Sequence, residues 1–153
     1  MEACILDSAL LIIGAGREQV YAYELAKKMG YEVIGTDKNP DAPAFKYADY
    51  RLIASTRDPI DTLKVVKDFK QHYPIKGVMT LANDVPYTVA YVAHFLGLPS
   101  ISLETASLSM DKLKMKNSFI QNKVSTPNFK DFQSIEELTL FVKNVLLCKI
   151  KNN

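Results

Sequence analysis

The run IIGAGREQ at residues 12–19 places Gly14 and Gly16 at the end of an apolar stretch, with Gln19 just after them. A glycine turn between a strand and a helix aims backbone N–H groups and the positive end of the helix dipole past the strand, which suits a phosphate or a carboxylate. Gly14 permits the tight turn and Gly16 a close approach. In a dinucleotide-binding turn a third glycine lets the helix pack close to the strand; Gln19 stands there instead and brings an amide to the loop. Further on, Asp37 sits where an acid would take the ribose diol of NAD, and Asn39 follows it. Two glycines and an acid fit a dinucleotide site, a site for another anion, or a plain structural turn. These residues alone leave all three open.

Asn83 and Asp84 stand before a helical stripe, where their ordinary use is to cap the helix. Lys112, Lys114, Lys116 and Lys123 form a lysine-rich run whose ordinary use is a solvated face. His72 and His94 have no partner at catalytic or ligand spacing, and Tyr21, Tyr23, Tyr87 and Tyr91 read as packing residues. Cys4 and Cys148 lie near opposite ends of the chain without CxxC spacing, which fits incidental thiols in a reducing compartment.

The elements that must position these residues alternate. Residues 9–13, 32–36, 51–54 and 77–81 read as short strands, and residues 99–102 as a fifth. Helical periodicity runs from Arg17 to Gly30 through Ala22, Leu25, Ala26 and Met29, and again through Leu63, Val66, Phe69 and Tyr73 to Pro74. A third helix carries Val85, Val89, Val92, Ala93 and Leu96, with Pro86 in its first turn and Gly97 past its end. Strand and helix alternating at this pitch predict an α/β fold, a parallel sheet with helices on both faces and right-handed crossovers. Beyond it, residues 111–122 read as a helix and 124–129 as an extended linker around Pro127. Residues 129–132 read as a strand, and Ser134 with Glu137 as a capping box opening a last helix with Leu138, Phe141, Val142, Val145 and Leu146 on its apolar face.

The 153 residues fit one domain with a short appendage, and 48% hydrophobic with 24% charged residues is an ordinary globular balance. A net charge of +2 gives no basic footprint for nucleic acid. The apolar N-terminal run is broken by Glu2 and Asp7 and lacks a basic flank, and no stretch is long enough to span a bilayer. The expectation is a cytoplasmic protein without nucleic-acid or membrane partners.

With IIGAGREQ before it and residues 96–129 after it, the run GYEVIGTDKNPDAPAFKYADYRLIA at residues 30–54 resembles the N-terminal part of ATP-grasp ligases, closest to carbamoyl-phosphate-synthase-like and biotin-carboxylase-like members. The resemblance covers residues 11–145 and implies a Rossmann-like pre-ATP-grasp domain over 1–123, followed over 124–153 by the start of an ATP-grasp domain. It implies that Gly14, Gly16 and Gln19 form the substrate-side loop, that Asp37 and Asn39 belong to the acidic motif after the second strand, and that Asn83 and Asp84 face the same cleft. Lys112, in MDKLK, matches the basic residue such enzymes aim at the ATP phosphates. Members activate a carboxylate with MgATP and pass it to an amine or another nucleophile, so the resemblance implies a small anionic or carboxylate substrate, with ATP and Mg in the intact parent. The lysine-bearing strand, glycine-rich lid and magnesium ligands of the family have no counterpart before the sequence ends at KIKNN. The expectation is therefore a fragment, a truncated product or one piece of a split enzyme, inactive and without tight cofactor binding alone, which self-associates or docks on the missing ATP-grasp half. A free-standing regulatory domain for NAD or another nucleotide is the alternative.

Overall fold

The computed structural model describes residues 8–70, 74–82 and 84–151; Cys4, His72, Tyr73 and Asn83 fall outside them, as do the side chains of Val145, Leu146 and Cys148. The chain divides into two compact units, Met1–Met115 and Lys116–Asn153.

In the first unit, strands β1 (Ala9–Ile13), β2 (Glu32–Asp37), β3 (Tyr50–Ile53) and β4 (Ile75–Met79) form one sheet in the order β3-β2-β1-β4. Every neighbouring pair is parallel, with Ile13 opposite Thr36 and Thr36 opposite Leu52. Helices α1 (Val20–Lys28), α2 (Pro59–Phe69) and α3 (Pro86–Leu96) cover it, and α4 (Leu103–Met110) packs on α3. The alternation of side chains along the strands splits the core in two. Leu11, Ile13 and Ile34 pack with Leu63 and Val66 of α2, Val92 of α3 and Val85 just before α3, whereas Ile12 and Val33 pack with Ala22, Tyr23, Ala26 and Phe45. The four strands and the α/β class match the sequence expectation because runs such as ALLII, buried on both faces, leave little room for another reading.

Elsewhere the structure differs. Residues 99–102 pair with no strand; Ser102 instead caps α4 by accepting the Thr105 N–H at 3.0 Å, and Pro99 lacks the N–H a ladder needs. A 3-10 turn, Arg17–Gln19, precedes α1, and Leu25 and Met29, assigned by periodicity to the buried stripe, are exposed. Tyr21 is exposed as well, while Tyr87 stacks on Tyr91. No described side chain caps α3, whose N-cap position is Val85, so Asp84 does not serve as its cap. Gly30 and Gly97 take the left-handed conformation expected beyond the ends of α1 and α3.

Helix α5 (Lys112–Gln121) follows Asp111, which accepts the Leu113 and Lys114 N–H groups, both at 3.0 Å. In the second unit, residues 129–132 form no strand; Phe129 lies under the Lys116 ammonium and Phe132 packs on Phe141. Helix α6 (Ile135–Lys151) opens with the Ser134 hydroxyl accepting the Glu137 N–H, and Glu137 reaches back to Gln133 N–H, one residue beyond an ordinary capping box. Leu138, Phe141 and Val142 are partly exposed on it.

Candidate functional site

In a parallel sheet all the loops that follow the strands lie along one edge, and the chain order here reverses between β1 and β4, which is where such sheets bind ligands. The glycine loop is tied down from several sides. Gly14, at φ 102°, donates to Thr36 O at 2.8 Å, and its own carbonyl accepts from the Tyr23 hydroxyl at 2.8 Å. Asp37 turns back on the loop: one carboxylate oxygen accepts the Ala15 N–H at 3.0 Å and the other the Asn39 N–H at 2.9 Å. Asn39 uses its side-chain oxygen on the Asp41 N–H. Asp37 and Asn39 therefore brace the turn with their own oxygens.

Gln19 explains the missing third glycine. Its side chain is 3% exposed, accepts the Leu81 N–H at 3.0 Å and donates its amide to the Leu81 carbonyl. One side chain thus pairs with both backbone groups of a residue in the loop after β4 and bridges the reversal point. The neighbouring Ala82 takes φ 47°, a left-handed conformation uncommon for a residue with a Cβ.

Tyr23 is fully buried, and that burial, with the nearby Asp37 charge adding to it, pushes its phenol far above the ordinary value near 10. A raised pKa means the folded protein holds this proton while the unfolded chain releases it. The stabilisation is complete below pH 10 and is lost as the pH rises past it. Above that point Tyr23 should remove about 1.4 kcal/mol per pH unit. Urea unfolding at pH 9, 10 and 11 should show a steeper loss for the native chain than for Tyr23→Phe; parallel losses would contradict this.

Along the same edge, two cavities flank the start of α3. The larger, about 310 Å³, is lined by Arg57, Asp84, Val85, Tyr87, Thr88 and Met110. The smaller, about 160 Å³, is lined by Asp84, Pro86, Ser109, Met110 and Lys112. The lysines of this region have different surroundings. Lys114 pairs with Asp111 at 3.6 Å, and Asp111, held by the Lys114 N–H first and by the Lys114 charge besides, has its carboxyl shifted below the ordinary value. Lys116 lies over Phe129. Lys112 makes no ion pair among the described residues and borders the smaller cavity.

The structure thus brings Gly14, Gly16, Gln19 and Asp37 into one braced loop, and Asp84 and Lys112 onto a separate wall beside α3. Arg57, on the loop after β3, was missed by sequence reading, because neither motif nor periodicity marks it. Among the described residues no group of three or more His, Cys, Asp or Glu side chains is placed to hold a metal ion, and no helix is long and apolar enough to cross a membrane.

A parallel sheet in this order with a glycine turn after β1 defines a Rossmann-like domain. Residues 10–93 match the family described as PylC-like, N-terminal domain, and the chain belongs to that family. Its fold is that of the N-terminal domain of ATP-grasp ligases. Phosphoribosylglycinamide synthetase from Anaerococcus prevotii is similar at 29% identity and a TM-score of 0.70, over 90% of this chain and 35% of that one. L-amino acid ligase from Bacillus licheniformis is similar at 25% identity and a TM-score of 0.66, over 84% of this chain and 34% of that one. Formate-dependent phosphoribosylglycinamide formyltransferase from Prochlorococcus marinus (strain AS9601) is 28% identical over 81 residues, which are 53% of this chain and 21% of the relative. N5-carboxyaminoimidazole synthetase from Staphylococcus aureus, solved with ADP, shares the fold at 18% identity and a TM-score of 0.67, over 88% of this chain and 35% of that one. The chain thus spans about a third of the length of these solved structures.

Proposed function

We propose that this chain is the substrate-side N-terminal domain of an ATP-dependent carboxylate–amine type ligase, carbamoyl-phosphate-synthase-like in the finer sense. Residues 1–123 form the pre-ATP-grasp domain in this reading, and 124–153 begin the ATP-grasp domain. The observation that carries it is the wall beside α3, where Lys112 stands beside a cavity without an ion pair among the described residues while Lys114 and Lys116 are engaged elsewhere. An unpaired ammonium there fits one phosphate of a nucleotide, and charge-assisted contacts to phosphate are the strong ones. In the intact parent MgATP would supply the phosphoryl group that activates a carboxylate. This chain's part is to shape and charge the substrate side: Gly14, Gly16, Gln19 and Asp37 fix the wall, Asn39 braces it, and Asn83 and Asp84 belong to the loop facing the substrate.

One exposed lysine cannot organise a triphosphate, since phosphoryl transfer rests on positioning and on charge stabilisation by several groups. The chain alone is expected to release no phosphate from MgATP over a panel of small carboxylic acids. Turnover that survives purification and tracks with the chain would overturn the reading. Titration with NAD discriminates the alternative regulatory domain. That alternative is disfavoured by Asp37, whose two oxygens already accept backbone N–H groups, so saturable NAD binding would favour it. A cytoplasmic setting, and docking on an ATP-grasp half or on a second copy through the apolar residues of α6, belong to the same proposal.

A further inference from the structure

We propose that α1 is the contact of a homodimer, in which the stripe Tyr21, Leu25 and Met29 packs antiparallel on the same stripe of a second copy. This contact is separate from α6; it goes beyond the ligase reading and does not rest on it.

The sheet leaves room for such a contact. A helix about 10 Å across covers two strands spaced about 4.8 Å. On one face α2 and α3 together serve all four strands, whereas on the other α1 and the short 3-10 turn Pro43–Tyr47 pack over β1 and β2. Strand β4 ends the sheet, and on the α1 face a cavity of about 360 Å³ opens beside it. Leu10 and Met79 line its strand side, and Leu25, Ala26 and Met29 its helix side. Tyr21 is 66% exposed and Met29 58%, with Leu25 and Leu81 exposed beside them. A contiguous patch of large, mostly apolar side chains marks an interaction surface. No charged side chain lines the cavity, and only the Tyr21 and Tyr31 hydroxyls are there to orient a small ligand, so a protein surface suits it better.

The pattern on α1 is complementary to itself. Tyr21, Leu25 and Met29 follow at intervals of four and form a single ridge along the helix. A two-fold axis at Leu25 sets Leu25 on its own copy and Tyr21 on Met29 of the second copy, twice. A thioether against an aromatic ring is a favourable contact. Glu24 and Lys28 flank the ridge on the side opposite the buried Ala22 and Ala26. An isologous contact brings like flank to like flank, so each Glu24 meets Lys28 of the other copy, about 3 Å apart along the helix axis. Neither residue makes an ion pair among the described residues, while Lys27 is taken by Asp49. Opposite charges on one flank are what an antiparallel copy requires; a flank of one sign would repel itself.

Sedimentation equilibrium of the full chain tests this. The contact is smaller than the roughly 20–30 residues a side of a standard interface, so the native chain should pass from monomer to dimer at micromolar concentrations. Glu24→Lys and Lys28→Glu each set like charges together twice and should weaken the dimer about tenfold. A mixture of the two variants restores both attractions in a heterodimer and should associate about as tightly as the native chain. A general loss of folding cannot produce that recovery. Leu25→Glu, at the two-fold, should be a monomer with native-like circular dichroism, and Leu140→Glu, at an exposed position of α6, should leave the dimer unchanged. A native chain that stays monomeric throughout this range, or a mixture as weak as its components, would overturn the proposal. So would a dimer lost in Leu140→Glu and kept in Leu25→Glu, which would put the contact on α6.

Discussion

Replacing Gly35 by alanine should lower the stability of the first unit by roughly 3 kcal/mol, at the upper end of what an overpacked core methyl costs. Gly35 lies in β2 beneath Tyr23 and Phe45, and a Cβ built there would stand 2.5 Å from the Tyr23 hydroxyl oxygen and 2.9 Å from Tyr23 Cε1. Tyr23 cannot retreat, because it is fully buried and its hydroxyl holds the Gly14 carbonyl at 2.8 Å. Phe45 Cε1, at 3.1 Å, closes the other side. The clash therefore passes to the glycine loop, linking a strand methyl to the shape of the cleft. Urea unfolding measures it directly. Tyr23→Phe removes the atom nearest the new methyl, so the double variant should be more stable than the sum of the two single losses predicts. Strict additivity, or a loss below about 1 kcal/mol, would show that the loop and β2 are not packed as described.

A second large effect is expected at Gln19. Gln19→Leu keeps most of the volume but removes both contacts with Leu81, leaving two backbone groups to find other partners, and should cost about 2–4 kcal/mol. Gln19→Glu is the sharper variant, since a carboxylate accepts from the Leu81 N–H but repels the Leu81 carbonyl. Both changes should also raise amide exchange at Leu81 and Ala82, because the strained Ala82 backbone is held by the same bridge. Exchange that stays at the native rate in a destabilised Gln19→Leu would separate the bridge from the loop and contradict this account.

The two cases show what the sequence makes legible and what it does not. The strands were readable because apolar runs such as ALLII leave few alternatives, and Gly30 and Gly97 because helix ends call for left-handed residues. Gln19 could be singled out as an anomaly in a glycine motif, but its partner lies 62 residues away, and no local rule pairs an amide with the backbone of Leu81. Asp37 was legible as an acid at the end of the second strand; that its oxygens turn inward to Ala15 and Asn39 depends on how the turn folds. Residues 99–102 and 129–132 misread as strands for a simpler reason. Four residues, PSIS in the first and FKDF in the second, are too few for periodicity to separate a strand from a loop; the first serves as the lead-in to the Ser102 cap and the second holds aromatic rings against Lys116 and Phe141. Arg57 had no signal at all, since an arginine in a loop becomes notable only when a cavity forms beside it.

The proposed assignment of the α3 wall to an ATP-dependent ligase stands or falls on Lys112. In a full-length member of the family with lysines at both positions, the affinity for MgATP should be measured for Lys112→Ala and for Lys114→Ala. Loss of a charge-assisted phosphate contact, about 1.5–3 kcal/mol, predicts that the first variant binds MgATP roughly tenfold to a hundredfold more weakly. The second variant, which loses only an exposed pair with Asp111, should remain close to the parent. Equal effects at the two positions would return Lys112 to a solvated face and contradict the nucleotide side of the account.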